Sequence, residues 1–202
     1  MKTQISDSKI SYQVAVSAKQ IKEAKQLCHD VYLQMGYINE SYPDKVIPYE
    51  FENAAIYIVA LNEYEEVIGT MRMTGGPYFK TLECWKDSFL PGAIPFILKA
   101  VKSNMYEIGA LAVRKDHSAM KISWGLYKTG FQICQLLSIK NIIISMDYRA
   151  LRSLEMLGWK VVKIGGPKNY FGSLTVPGIL PIEEQAVAVR SKNQTYNNYL
   201  AA

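Results

Sequence analysis

The stretch from Met105 to Trp159 limits most strongly what this chain can fold into. It begins with an apolar segment carrying one carboxylate (Met105 to Val113) and continues through a basic loop and helical pattern, a second apolar segment and a closing helix. Along it a two-residue hydrophobic period gives way to 3.6 and then returns. Strand, helix and strand at this spacing predict a parallel crossover unit, hence an α/β chain built on a central sheet. Gly158 is a left-handed stop for the last helix, and Trp159 opens the next strand.

The flanks extend the same sheet. Ile10, Tyr12, Val14 and Val16 alternate with polar residues as a half-buried strand does. Ser17 with Gln20 three positions on resembles a capping box, opening a helix with Ile21, Ala24, Leu27, Cys28, Val31, Tyr32 and Met35 on one face and Gly36 at its end. Lys19, Lys22 and Lys25 fall on its solvated side. Gly36 to Asn53 is a long connection rich in tyrosine and carboxylates, either a lid over a site or a surface loop, with the lid preferred. Ala55 to Asn62 and Val67 to Thr74 predict a hairpin, broken at Gly75-Gly76-Pro77. Thr81 to Lys102 predicts short helices or loops, either plain core or the wall of an acyl-chain tunnel. Lys160 to Gly165 is expected as a strand, with Glu184 to Arg190 pairing antiparallel to it. Residues 1–190 are expected as one domain and 191–202 as a polar tail.

With 202 residues, 49% hydrophobic and 20% charged, the chain can bury a core without disulfides. Cys28, Cys84 and Cys134 lack metal-type spacing, and His29 and His117 do not complete a zinc set, so no metal site is expected. Free thiols, no signal-peptide pattern and no apolar run long enough to span a bilayer point to a soluble cytoplasmic protein. The net charge of +5 favours an acidic partner. Nucleic acid is not expected, since no recognition motif accompanies that charge.

Ala150 to Trp159 (ALRSLEMLGW) is similar to the A-x-x-x-Y-E-x-L-G-F helix end of GNAT-type N-acyltransferases, with Leu154 and Trp159 at the aromatic positions. The glycine-rich turn that holds coenzyme A diphosphate in that superfamily has no counterpart near Lys121-Ile122-Ser123. Val67 to Met73, Gly76-Pro77-Tyr78 and Glu107 to Val113 are similar to the G-x-x-R-L, P-Y and E-x-(S/T)-R-x-x-V signatures of acyl-homoserine lactone synthases, with Gly109 and Ala110 replacing the Ser/Thr and Arg. The combination resembles the long-chain N-acyl amino acid synthases, of which N-acyltyrosine synthase is the type. The resemblance implies a GNAT-type fold, a central mixed twisted sheet flanked by helices. It also implies transfer of a long-chain fatty acyl group from acyl carrier protein to the α-amine of an amino acid, tyrosine by family likeness. The donor would be the phosphopantetheine thioester of the carrier, with no permanently bound cofactor. The alternatives are an acyl-homoserine lactone synthase, a CoA-dependent GNAT acyltransferase and a non-enzymatic acyl-carrier-binding module.

Amide formation needs a neutral amine, a thioester carbonyl and donors for the oxyanion. Glu107, on an otherwise apolar strand, is the candidate proton acceptor; otherwise it faces solvent or pairs with a lysine. Arg72, on an apolar strand, either receives the substrate carboxylate or pairs internally with Glu107 or a loop carboxylate. The small Gly109 and Ala110 allow a substrate close to the strand, and the GNAT resemblance, in which this strand diverges from its neighbour, implies the amides of Ala110 and Leu111 as the oxyanion candidates; close helix packing is the other reading. The resemblance places Tyr37 with Glu50 or Glu52 toward the amine substrate. Arg114, Lys115, Lys121 and Lys128 form either a docking face for acidic acyl carrier protein or a solvated basic face.

Overall fold

The architecture is that of a computed structural model describing residues 10–50, 54–156 and 158–185. Strand β1 (Ser11–Val14) leads into helix α1 (Ala18–Gln34). The Ser17 side chain accepts from the Gln20 amide at 3.1 Å, and Gln20 Oε1 reaches back to the Val16 amide at 3.2 Å. One first-turn donor, the Gln20 amide, is thus satisfied, and the return bond of the expected capping box lands on Val16, one residue earlier than in a standard box. Strands β2 (Ala55–Leu61) and β3 (Val67–Gly75) follow. In their turn, Asn62 Oδ1 accepts from the amides of Tyr64 (3.0 Å) and Glu66 (2.9 Å), a side chain imitating a backbone turn.

Two short helices, α2 (Lys80–Trp85) and α3 (Ala93–Lys102), fill the proline-interrupted stretch. The crossover unit then appears as expected: β4 (Met105–Val113), α4 (Ala119–Leu136), β5 (Asn141–Asp147) and α5 (Tyr148–Met156). Three strands complete the described chain, β6 (Val162–Lys163), β7 (Lys168–Tyr170) and β8 (Ser173–Pro181). The eight-stranded sheet has the order β1-β2-β3-β4-β5-β8-β6, with β7 on β8. It is mixed: β4 and β5 are parallel, while β8 runs antiparallel to β5, β6 and β7.

The C-terminal strand expected at Glu184 to Arg190 is corrected. Residues 182–185 are helical, and 186–190 lie outside the described residues, as does the expected tail. The partner of β6 is β8, which includes Pro177 and Gly178. Those two residues read as strand breakers, yet each has its place. Pro177 offers its carbonyl to the Ile164 amide at 3.1 Å, and a Cβ on Gly178 would meet Val161 Cγ1 at 2.4 Å.

Two compact units divide the chain, one comprising Met1–Arg72 and Ala110–Gly130, the other Met73–Gly109 and Phe131–Ala202. In the first, a core of Ala15, Ala24, Tyr57, Val59, Leu61 and Val67 fixes α1 on the sheet. Gly69 lets α4 approach β3 closely, because a Cβ there would stand 2.5 Å from Ile122. In the second, Phe79, Ile97, Met105, Ile143, Ile164 and Ile179 pack α2 and α3 on the strands. Trp85 is fully buried there, its Nε1 donating to the Gly166 carbonyl at 3.0 Å and the Lys168 ammonium 4.3 Å from its ring centroid. Lys168 Nζ also donates to the Cys84 carbonyl.

Candidate active site

In the first unit, Arg72 lies near the end of the Val67–Arg72 part of β3, where odd-numbered Gly69 faces α4 and even-numbered residues face the other way. Its guanidinium stacks on the ring of Tyr49, 3.3 Å from the centroid. Among the described residues no carboxylate stands within ion-pair distance of Arg72, so the internal pair considered from sequence does not form there. Thr70 shares its strand face; it is 1% exposed, and its hydroxyl makes no hydrogen bond among the described residues. A guanidinium and a spare hydroxyl side by side are the donors a carboxylate needs.

Cys28 and Tyr32 of α1 complete the surroundings. Burial pushes the Cys28 thiol up to about 12, against the weaker opposing pulls of Arg72 and a hydrogen bond with Tyr32. Burial, then the nearby Cys28, pushes the Tyr32 phenol upward too. Both groups stay neutral near pH 7, leaving the Arg72 charge uncompensated by them.

Tyr37, expected toward the amine substrate, lies just after α1 and packs on its last turns. Its amide donates to the Tyr32 carbonyl at 2.8 Å, and the two rings meet edge to face at 5.4 Å. Tyr49, which the sequence reading did not single out, is the ring that meets Arg72. Glu50 follows it, exposed, and Glu52 lies outside the described residues. The connection expected as a lid is seated on α1 through a tight turn, Pro43–Lys45, in which Asp44 and Lys45 both have φ near 55°. Left-handed backbone costs non-glycine residues roughly 1–2 kcal/mol each, so contacts elsewhere must hold the turn.

Outside the turns, Ala110 is a further left-handed residue of the first unit. It has φ 50° inside β4, whereas the preceding Gly109 does not. The left-handed residue re-aims the amides of Ala110 and Leu111 out of regular strand geometry, the local change a bulge makes. The register of β4 on β5 runs from Met105 opposite Asn141 to Ile108 opposite Ile144, and ends before this point.

Of the four expected docking cations, Arg114 is engaged internally. Nε donates to Asp116 at 2.9 Å, Nη1 to Glu66 at 3.3 Å, and Nη2 meets His117 Nε2 at 3.0 Å. Hydrogen bonds from Asn62 and Arg114 hold the Glu66 carboxyl below its usual range. Lys115 and Lys121 are exposed and Lys128 half-buried. Lys121 and Lys128 stand seven positions apart on α4, hence on one face.

In the second unit, Glu107 is 7% exposed. Its carboxylate closes the start of α2: Oε2 accepts from the Lys80 amide at 2.8 Å, and Oε1 from the Thr81 amide at 2.8 Å and the Thr81 hydroxyl at 2.5 Å. An acid at a helix start meets unpaired amides and the positive end of the dipole. The apolar setting inferred from β4 alone is therefore corrected: three donors from α2 surround the group. A fourth acceptor direction, on Oε2, is unused among the described residues. Leu154, where GNAT enzymes carry tyrosine, is plain core beside Leu151.

No family model matches the sequence, and no curated protein does. Solved structures match over nearly the whole chain. FeeM, an N-acyl amino acid synthase from uncultured soil microbes, superposes with a TM-score of 0.70 at 14% identity, covering 95% of this chain and 98% of that one. The AHL synthase LasI gives 0.70 at 13% identity, covering 92% and 96%. The chain has a GNAT-type acyltransferase fold. Within this fold BjaI, a CoA-dependent acyl-homoserine lactone synthase, also matches, with a TM-score of 0.64 at 18% identity over 91% of this chain and 89% of that one. A CoA-dependent enzyme is thus among the proteins that share this fold.

Tyr49 and Thr70 were the residues sequence reasoning passed over. For Thr70 a signal existed, since it stands two residues from Arg72 on the same strand. For Tyr49 there was none: four aromatics share the connection, and only its path decides which one meets the cation.

Proposed function

We propose that this protein is an N-acyl amino acid synthase, moving a long-chain fatty acyl group from the phosphopantetheine thioester of acyl carrier protein to the α-amine of tyrosine. The observation that carries the reading is Arg72, a cation stacked on Tyr49 without a carboxylate partner among the described residues. Arg72 binds the amino acid's carboxylate and Thr70 donates a second hydrogen bond to it. Tyr49, with Tyr37 and Glu50 on the same connection, frames the amino acid's side. The amides of Ala110 and Leu111, beside small Gly109, take the thioester oxygen as the amine attacks. Lys115, Lys121 and Lys128 receive the acidic carrier, a smaller patch than the sequence suggested because Arg114 is engaged with Glu66 and Asp116.

Glu107 accepts the amine's proton through the unused direction on Oε2. Its bonds to α2 favour a second reading, in which it only fixes that helix. The two separate in Glu107→Gln. A proton acceptor loses rate most below the amine's own pKa, whereas an anchor loses stability with a rate per folded molecule that does not follow pH.

The decisive assay mixes the protein with long-chain acyl carrier protein and an amino acid pool, with mass spectrometry of the products. An N-acyl amino acid supports the proposal, with tyrosine the expected acceptor. An acyl-homoserine lactone formed only with adenosylmethionine would establish the rival synthase instead. Equal turnover of acyl-CoA would remove the carrier-protein assignment, and no product from any donor would favour a binding module.

A further inference from the structure

His29 has no part in the chemistry above, yet it is fully buried in α1 with both ring nitrogens engaged. The Tyr42 backbone N–H lies 3.1 Å from Nε2, and a backbone amide can only donate. Nε2 is therefore the bare, accepting nitrogen, and the Ser41 hydroxyl shares it at 3.2 Å. The ring proton then sits on Nδ1, facing Asp30 Oδ1 at 3.1 Å. Asp30 in turn pairs with Lys45 at 3.3 Å, and Gln26 Nε2 donates to the Asp44 carbonyl at 3.3 Å. These bonds converge on residues 41–45, the left-handed turn that conformational preference alone would not hold. From there the chain runs directly to Tyr49 and its stack on Arg72.

We propose that His29 is the positioning residue for the Arg72 site: it seats the connection that carries Tyr49 through an accepting Nε2, which a ring carrying hydrogen on both nitrogens could not do. The seating follows from hydrogen-bond direction, while its effect on ligand binding rests on the proposed role of Arg72.

The groups facing His29 define what a second proton does. Nδ1 carries hydrogen in both forms, so the Asp30 bond survives; the attraction of Asp30 for a cation is countered by Lys45 on the same carboxylate. The Ser41 hydroxyl can turn to accept. The Tyr42 amide cannot, and two donors would oppose each other at 3.1 Å with the amide left unpaired. The Tyr42 ring, edge-on at 6.5 Å, supplies no acceptor in the amide's place. The damage thus falls on one backbone bond, which makes it measurable.

Hydrogen exchange of the Tyr42 amide is followed in the full chain and in two variants, corrected for intrinsic rates. His29→Gln puts an acceptor near the place of Nε2 and should stay protected, whereas protection in His29→Phe should fall roughly tenfold or more. A protected His29→Phe variant, or an unprotected His29→Gln variant, overturns the seating. Calorimetric binding of tyrosine should weaken about tenfold in His29→Phe and recover in His29→Gln. If exchange responds but tyrosine binding does not, the seating stands and its link to Arg72 is overturned.

Discussion

Arg72 and Glu107 are both charged side chains on apolar strands, and from the sequence they pose the same problem. Their surroundings solve it differently. Glu107 receives three donors from the start of α2, two of them backbone amides. Arg72 receives an aromatic face and no carboxylate among the described residues. A buried charge met by backbone donors belongs to the scaffold as much as to any reaction. A half-buried one met, among the described residues, by a polarisable ring keeps its capacity for an anion, because cation–π contact leaves the guanidinium hydrogens in its plane unspent.

The largest effect that tests this contrast concerns Cys28. With its thiol pushed up to about 12 from 9.0, its thiolate fraction at pH 8 should be roughly a thousandfold below that of an ordinary thiol. The shift is upward, so alkylation should accelerate as pH rises toward 12. Rapid alkylation of Cys28 itself in folded protein at pH 8, located by peptide mapping to separate it from the more accessible Cys84, would mean that Arg72 is spent on a thiolate. Next, Arg72→Ala should weaken tyrosine binding about a hundredfold with the fold intact by circular dichroism, and Arg72→Lys should recover little, lacking the planar fork. Retained binding in Arg72→Ala would erase the contrast.

Glu107→Gln should cost about 2 kcal/mol, since an amide cannot accept on both sides, and lower Tm by roughly 4–8 °C in a calorimetric scan. An unchanged Tm would show that the helix contacts matter little. Thr70→Val sharpens the Arg72 side by moving two quantities in opposite directions. Removing an unpaired buried hydroxyl should stabilise the ligand-free protein by about 1 kcal/mol while weakening carboxylate binding several-fold. Smallest is Ala110→Gly, which should raise stability by up to about 1 kcal/mol by relieving the left-handed backbone, read as a Tm increase of about 2–4 °C.

The crossover unit was legible because periodicity is a local property, and Ser17, Gly36 and Gly158 marked helix ends for local reasons. Strand β8 was not, because Pro177 and Gly178 carry the signature of a turn and only their partners show otherwise. For Glu107 the strand and burial could be read, but its donors sit 26 and 27 positions away on a helix whose start the sequence marks only loosely. Arg114 looked like a free cation because Glu66 lies 48 positions off, across the β2–β3 turn. His29 was weighed only as a metal ligand, since a histidine's hydrogen-bond partners leave no trace in spacing.

The burial of Trp85 beneath Lys168 and against Gly166 also has a spectroscopic use. Indole emission reports its surroundings, and Trp85 and Trp159 fall in one compact unit while Trp124, on α4, falls in the other. A Trp159→Phe background leaves one tryptophan in each, excited apart from the tyrosines at the red edge of the absorption band. The order in which the two halves of the chain lose structure then becomes a question that a titration with urea can answer without any added dye.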